Sequence, residues 1–211
     1  MQALKQHAPF IAAMALVVAA SNFLVQFPVQ ATIGGFDLAD LLTWGAFTYP
    51  VAFLVTDLTN RRYGPQAARR VVLVGFAVAV VLSIWLATPR IAIASGSAFL
   101  VAQMLDVSIF DRLRRAAWWK APLISSIIGS VIDTIIFFSL AFAPLFGFLG
   151  ANDDFAIASA PLLGLIALEA PRWLSWALGD LGVKLVVSMV MLAPYGALLA
   201  LMRNDGQPRP A

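Results

Sequence analysis

The sequence predicts an all-α integral membrane protein with six transmembrane helices and both termini on the cytoplasmic side. Three observations predict it. Of 211 residues, 61% are hydrophobic and only 12% charged, and the mean hydropathy is +0.88. Soluble chains carry roughly a quarter charged residues, so much of the folded surface must face lipid. Apolar runs recur at lengths that cross about 30 Å of hydrocarbon at 1.5 Å per residue. Lys and Arg fall in alternate connections between those runs, the pattern by which cytoplasmic loops are marked.

The six runs lie near Phe10 to Phe27, Ala39 to Leu58, Ala67 to Ala87, Ile91 to Phe110, Pro122 to Phe148 and Leu174 to Met202. The first follows Lys5 and resembles a secretory signal, with small residues at Ala19 and Ala20. Polar Asn22 and Gln26 continue it and five further runs follow, so it reads as a retained span with those two side chains on one face. The second run carries Thr43, Phe47, Pro50, Leu54, Asp57 and Arg61 at alternating spacings of four and three, with Trp44 beside them. Pro50 removes the amide that would bond the Ala46 carbonyl, which frees that carbonyl or bends the helix. The fourth presents Ser95 or Gly96, Phe99, Gln103, Asp106 and Phe110 on one face; the fifth presents Ser126, Gly129, Ser130, Asp133 and Phe137. The sixth presents Trp173, Trp176, Asp180, Lys184, Ser188, Met191 and Tyr195.

Between the fifth and sixth runs, the apolar stretch from Phe155 to Leu168 is too short for a span. It reads as a short interfacial or re-entrant helix on the outer side. Residues 1–205 read as one six-helix domain, and residues 206–211 as a disordered tail.

Orientation follows from the basic residues. Lys5, Arg61, Arg62, Arg69, Arg70, Arg112, Arg114, Arg115, Lys120, Arg203 and Arg209 occupy one set of connections and ends; the alternate set holds Arg90 and Arg172. Eleven against two supports an even number of spans and an N-in, C-in topology. A pI near 9.7 therefore needs no nucleic acid to explain it. Cys is absent and His7 is the single histidine. This removes disulfides, cysteine metal sites, thiolate catalysis and multi-histidine centres. No Gly-Lys-Ser/Thr occurs, which excludes a Walker P-loop. The reading calls for no cofactor, metal or catalytic residue.

Ionisable groups in hydrocarbon cost several kcal/mol unless paired, hydrated or used. By helix rise, Asn22 and Asp133 lie roughly 16 to 18 Å above the cytoplasmic side and Lys184 roughly 15 Å below the outer side, near one plane. A mid-membrane pair of Asp133 with Lys184 is expected. Asp57 and Asp106 fall lower, within reach of Arg61 and Arg112, either as structural ion pairs or as ligand contacts. Asp180 and Lys184 read equally as a self-contained pair or as function. Ser126, Gly129 and Ser130 form a small-residue groove for close helix packing. Trp44 suits an interfacial belt or a stacking platform. Asp133 is the first candidate for a proton-linked group, and proton or ion coupling is left open.

At these same positions the sequence resembles a known family. Ser21-Asn22-Phe23-Leu24-Val25-Gln26-Phe27-Pro28, Thr43-Trp44-Gly45-Ala46-Phe47 and Phe53-Leu54-Val55-Thr56-Asp57-Leu58-Thr59-Asn60-Arg61 resemble the bacterial queuosine-precursor transporter family of the vitamin uptake transporter group. The likeness continues through Ala68-Arg69-Arg70, Gln103-Met104-Leu105-Asp106-Val107, Phe110-Asp111-Arg112-Leu113-Arg114, Trp118-Trp119-Lys120-Ala121-Pro122, Gly129-Ser130-Val131-Ile132-Asp133-Thr134 and Lys184 through Pro194-Tyr195-Gly196. The stretch from Gly150 to Glu169 departs from it, being longer than the family pattern. The resemblance implies a fold similar to the six-helix binding subunits of energy-coupling-factor transporters. It also implies import of cyano- and aminomethyl-deazaguanine across a bacterial inner membrane for salvage into tRNA.

For such a ligand, Asp133, Asn22 or Gln26 would accept from the donor edge, and Gln103 or Lys184 would reach the carbonyl. Trp44 or Phe47 would stack, and Asp106 would neutralise an aminomethyl cation. The partners expected are thus the bilayer and a small deazapurine, with no nucleic acid. The alternative is a binding subunit for another planar vitamin or nucleobase that needs a separate ATPase module. A membrane-embedded enzyme is a third class, disfavoured by the missing Cys and His chemistry.

Overall fold

The computed structural model describes residues 2–33, 36–164 and 166–204. The expected tail at 206–211 lies outside the described residues. Helix α1 spans Gln2–Leu24, and a small hairpin of β1 (Thr32–Ile33) and β2 (Phe36–Asp37) follows. Then come α2 (Gly45–Thr48), α3 (Val51–Tyr63), α4 (Pro65–Leu86), α5 (Pro89–Leu113) and α6 (Lys120–Phe142). A short α7 (Asp154–Ile157) precedes strands β3 (Ser159–Leu162) and β4 (Ile166–Pro171). Helices α8 (Arg172–Val190) and α9 (Leu192–Asn204) complete the order.

Among the described residues, five segments are long and apolar enough to cross a membrane: His7–Leu24, Pro65–Leu86, Pro89–Leu113, Lys120–Phe142 and Arg172–Met202. The second expected run is not one of them, because it is broken. Pro50 offers no amide to Ala46; instead Ala52 N–H bonds the Tyr49 carbonyl at 3.0 Å and Phe53 N–H the Pro50 carbonyl at 3.1 Å. The ladder is thus interrupted between α2 and α3, as a proline inside an apolar run dictates. The first helix also stops at Leu24 rather than Phe27, before Pro28, which disfavours helical geometry in the residue ahead of it. A similar break separates α8 from α9, where Pro194 has no amide for the Val190 carbonyl.

The stretch from Phe155 to Leu168 corrects the expected interfacial or re-entrant helix. After the single turn of α7, whose start Asp153 caps through Phe155 and Ala156 N–H at 3.0 Å, the chain forms the antiparallel hairpin β3–β4. Pro161 would remove a bond from any helix here. The tip has positive φ at Leu163 (57°) and Gly164 (69°), a reversal that glycine accepts readily. Ser159 Oγ bonds Glu169 across the strands at 2.8 Å, and Leu163 N–H bonds Ser175 Oγ at 2.9 Å, fastening the tip to α8.

The apolar core fills the space among α1, α3, α4 and α5, with Met14, Val18, Val55, Val71, Val72, Phe99 and Val107 at its centre. A second cluster, Leu58, Phe110, Ala121 and Tyr195, joins α3, α5, α6 and α9. Helices α5 and α6 pack along their lengths, and α8 lies against α6. Close approach depends on Gly129, where a Cβ would stand 2.8 Å from Phe53 Cε1. The expected small-residue groove is therefore a seat for this ring.

Arg90, counted among the basic residues of the sparse set, is buried. Its guanidinium donates to the carbonyls of Leu140, Ala143, Gly150 and Ala151 and to Asn152 Oδ1, at 2.7 to 3.2 Å. It closes the C-terminal end of α6 and ties down the following loop, where a cation meets the negative pole of the helix. Arg90→Lys presents three donors without the planar fork. It should lower stability by at least about 2 kcal/mol, since hydrogen bonds to charged groups are worth about 1.5–3 kcal/mol each. An unchanged thermal unfolding curve in detergent would refute this clamp.

Candidate functional site

Lys184, on α8, sits 4% exposed between two carboxylates. Its Nζ donates to Asp133 Oδ2 of α6 at 2.7 Å and forms an ion pair with Asp180, one turn back on α8. Thr134 Oγ1 lies 3.5 Å from the ammonium and donates to Asp180 Oδ2 at 3.2 Å. The Tyr49 hydroxyl donates to Asp133 Oδ1 at 2.9 Å, and Lys184 Nζ lies 5.3 Å from the Tyr49 ring centre. The expected pair of Asp133 with Lys184 is present, and the two readings of Asp180 merge: it shares the same ammonium. An ammonium carries three donors, and these acceptors surround it.

Tyr49, Asp133, Asp180 and Lys184 form one wall of a cavity of about 110 Å³, lined also by Ser21, Asn22, Thr43, Ala46, Ser95 and Phe137. Asn22 donates through Nδ2 to the Val18 carbonyl at 2.9 Å, so its Oδ1 is the group left to accept from a ligand. The cavity shares Val25, Thr43, Ala46, Phe137 and Asp180 with a larger one of about 890 Å³. That vestibule runs past Phe138, Phe142 and Trp176 to the β3–β4 hairpin at Ala160, Pro161, Leu163 and Gly164. At its rim, Arg172 stacks on Phe155 with 4.1 Å from Cζ to the ring centre.

The other residues expected at the site fall elsewhere. Gln26 lies beyond the end of α1 and is exposed, its Nε2 3.5 Å from the Asn22 carbonyl, so the two do not share a helix face. Trp44 is 48% exposed and Phe47 36% exposed; their rings touch each other at 5.7 Å, outside the small cavity. Gln103 and Asp106 belong to a second buried layer with Asp57, Thr56 and Ser125, away from both cavities.

The ion pairs expected there do not form. Arg61 bonds the Tyr195 hydroxyl at 2.9 Å and the Arg114 carbonyl rather than Asp57. Arg112 is exposed, whereas Asp106 is fully buried. Thr56 Oγ1 lies 2.6 Å from Gln103 Oε1 and 3.0 Å from the Ala52 carbonyl. One hydroxyl proton serves one of these acceptors; turning the Gln103 amide over lets Nε2 donate to Thr56 while Thr56 donates to Ala52.

Sequence reasoning missed Tyr49. The break at Pro50 turns Tyr49 to the cavity, with Phe53 and Asp57 following it on the same side, whereas Phe47, Pro50 and Leu54 do not line the cavity. The signal was available in the spacing of four that Tyr49, Phe53, Asp57 and Arg61 share. Ser95 and Thr43, named in the stripes, do reach the cavity.

Apolar helices packed around a buried, charged cavity are the build of a multi-pass membrane protein that receives a small molecule. A family model described as "Putative vitamin uptake transporter" matches residues 43–88 and 81–198. The chain is 36% identical over 209 residues to the "Queuosine precursor transporter" of Escherichia coli (strain K12), covering 89% of this chain and 83% of that one. It is 33% identical over 211 residues to the "Probable queuosine precursor transporter" of Haemophilus influenzae, covering 87% of this chain and 82% of that one. A protein of the same description from Bacillus subtilis (strain 168) is 28% identical over 191 residues, covering 77% of this chain and 74% of that one. No solved structure matches the chain. The chain belongs to the queuosine-precursor transporter family of the vitamin uptake transporter group. It is a small-molecule transporter, not an enzyme.

Two outcomes follow from the geometry. Lys184→Met leaves two buried carboxylates facing each other and should cost about 3–5 kcal/mol, whereas Asp133→Asn leaves Lys184 paired with Asp180 and should cost less. Adding Asp133→Asn to Lys184→Met should restore protein level in membranes relative to Lys184→Met alone; strictly additive losses would mean that the groups are not coupled. Gly129→Ala pushes a methyl into Phe53 and should destabilise by about 1–3 kcal/mol, read by thermal unfolding.

Proposed function

We propose that this chain is a bacterial inner-membrane importer of queuosine precursors, cyano- and aminomethyl-deazaguanine. In this reading residues 1–205 form a single domain of six spans, N-in and C-in, and residues 206–211 a tail. The broken segment of α2 and α3 completes the count of six. The observation that carries the substrate is the name shared by the relatives in Escherichia coli, Haemophilus influenzae and Bacillus subtilis, at 28% to 36% identity over most of the chain.

The chemistry of the cavity agrees with that ligand. A deazaguanine presents an amino and ring N–H edge, a carbonyl and a planar face. Asn22 Oδ1 and Asp133 accept from the donor edge, and a hydroxyl of Thr43 or Ser95, or Lys184 in exchange for its long contact to Thr134, meets the carbonyl. Phe137 and Tyr49 offer ring surface inside the cavity. Trp44, Phe47 and Gln26 act earlier, along the approach, and Gln103 and Asp106 act from the layer beneath. With both carboxylates ionised, Asp133, Asp180 and Lys184 carry one net negative charge. That charge favours the donor edge of the base, and Asp180 faces both cavities, where it receives an aminomethyl cation.

The test uses cells that cannot make these precursors but can use them. Expression of the chain should restore queuosine in tRNA at limiting supplied precursor, and no restoration sinks the proposal. Purified protein alone in liposomes should carry the base across; binding without transport would instead make the chain a binding subunit that needs an ATPase module.

A further inference from the structure

The layer beneath the cavity holds two carboxyls that line neither cavity and touch no bound base in the transport reading. Asp57 of α3 is 2% exposed and Asp106 of α5 is 0% exposed, and they face each other between two contacts that join these helices, Thr56 with Gln103 at 2.6 Å and Asn60 Nδ2 to the Val107 carbonyl at 3.0 Å. Ser125 Oγ of α6 stands 3.4 Å from Asp57 Oδ1. Among the described residues neither oxygen of Asp106 has a donor at full hydrogen-bond geometry, and the Ser125 hydroxyl, which faces both carboxyls, is directed at Asp57 and the Pro122 carbonyl. Buried acceptors are almost always satisfied, and a donor missing from both oxygens of a carboxyl asks for one that heavy atoms do not reveal. A proton on one of the two carboxyls would supply that donor. Two carboxylates facing each other in a low-dielectric site disfavour each other's ionisation.

Among the described residues no cation forms an ion pair with either carboxyl, although the Arg61 guanidinium attracts Asp57 from a distance. Arg61, one turn along α3, is held by the Tyr195 hydroxyl of α9 and the Arg114 carbonyl, and its guanidinium lies 5.1 Å from the Phe110 ring centre. Arg114, past the end of α5, pairs with Asp111 at 3.3 Å. Gln103 of α5 is engaged with Thr56. Lys184 is taken by Asp133 and Asp180 in the layer above.

Phe53 separates the layers. Its ring sits in the notch of Gly129, one turn from Asp57 on α3 and one turn from Asp133 on α6, and meets the edge of Tyr49 at 6.4 Å. Tyr49 in turn bonds Asp133. Movement of α3 or α6 that changes the fit at this ring is felt by both layers.

We propose that Asp57 and Asp106 form a proton-binding site, one proton shared between the two carboxyls, and that its uptake and release accompany substrate movement through the cavity above. The second clause rests on the transport reading of the preceding section; the first does not. This moves the proton-linked role from Asp133, which Lys184 already neutralises, to the layer below.

Two measurements on the full chain in liposomes test it. By infrared spectroscopy at neutral pH, the wild type should show a protonated-carboxyl stretch that shifts on deuteration, moves in Asp106→Asn and disappears in Asp57→Asn/Asp106→Asn. Absence of the band, or its persistence unchanged in the double variant, overturns the proton site. With labelled cyano-deazaguanine and acid outside, the wild type should accumulate the base about tenfold per pH unit for one proton moved with each neutral molecule, since one pH unit is 1.36 kcal/mol. In Asp57→Asn and Asp106→Asn the ratio of uptake with and without the pH gradient should fall to about 1, the value for no coupling in the same free-energy relation. A variant that keeps the wild-type ratio, or wild-type accumulation driven by a sodium gradient alone, overturns the coupling. If the wild type neither binds nor moves the precursor, the transport reading fails while the infrared result still decides the proton site. The infrared result likewise decides for any variant that loses uptake altogether.

Discussion

The ammonium of Lys184 is the group around which the rest of the molecule is arranged. A lone charge within membrane-crossing helices costs several kcal/mol, and here it is met by Asp133 from α6, by Asp180 from its own helix and by the face of Tyr49. That requirement fixes the rotation of α6 against α8 and draws in the broken segment between α2 and α3. Because two carboxylates share one cation, the set keeps acceptor capacity beyond its internal bonds. A polar wall that exceeds its own pairing needs, set at the edge of a cavity, is suited to binding as well as to holding helices together.

The break at Pro50 is the second constraint. An unbroken helix through Gly45 to Tyr63 would present one straight stripe, whereas the interruption brings Ala46 and Tyr49 to the cavity and sends Asp57 into the layer below. Phe53 fills the space between, possible only because residue 129 has no side chain. The polar interior is therefore two compartments divided by an aromatic ring, rather than one continuous channel. Around them, Arg90 closes the end of α6 and the hairpin β3–β4 is tied to α8 by Ser175, so the vestibule has walls held by hydrogen bonds as well as by apolar packing.

Where sequence reasoning succeeded, the physics was local or one-dimensional. Apolar runs, proline breaks and the small-residue stripe on α6 are properties of consecutive residues, and they located five long helices, whereas the second run, counted from the sequence as a sixth helix, is broken at Pro50. Depth along a helix is also nearly one-dimensional, which is why Asp133 and Lys184 could be matched by counting rise from the span ends. Pairing through i,i+4 spacing misled for Asp57 and Arg61, because helical neighbours compete with partners on other helices that spacing does not reveal. The hairpin between α7 and α8 was misread for a related reason: apolar residues near an interface suit helix or strand, and Pro161 with Gly164 decides between them.

The sequence by itself determined that this protein lives in a membrane, which segments are apolar enough to cross it, and that buried Asp and Lys must find partners. These follow from composition, from run length and from the cost of charge in hydrocarbon, none of which needs a neighbour's coordinates. Only the tertiary structure decided which partners those are: Asp180 and Tyr49 joining Asp133 at Lys184, Asp57 meeting Asp106 instead of Arg61, and Arg90 turning inward to a ring of carbonyls. Each of these contacts joins residues from different helices or loops or depends on how a helix is rotated, and rotation is set by side-chain packing across the whole bundle.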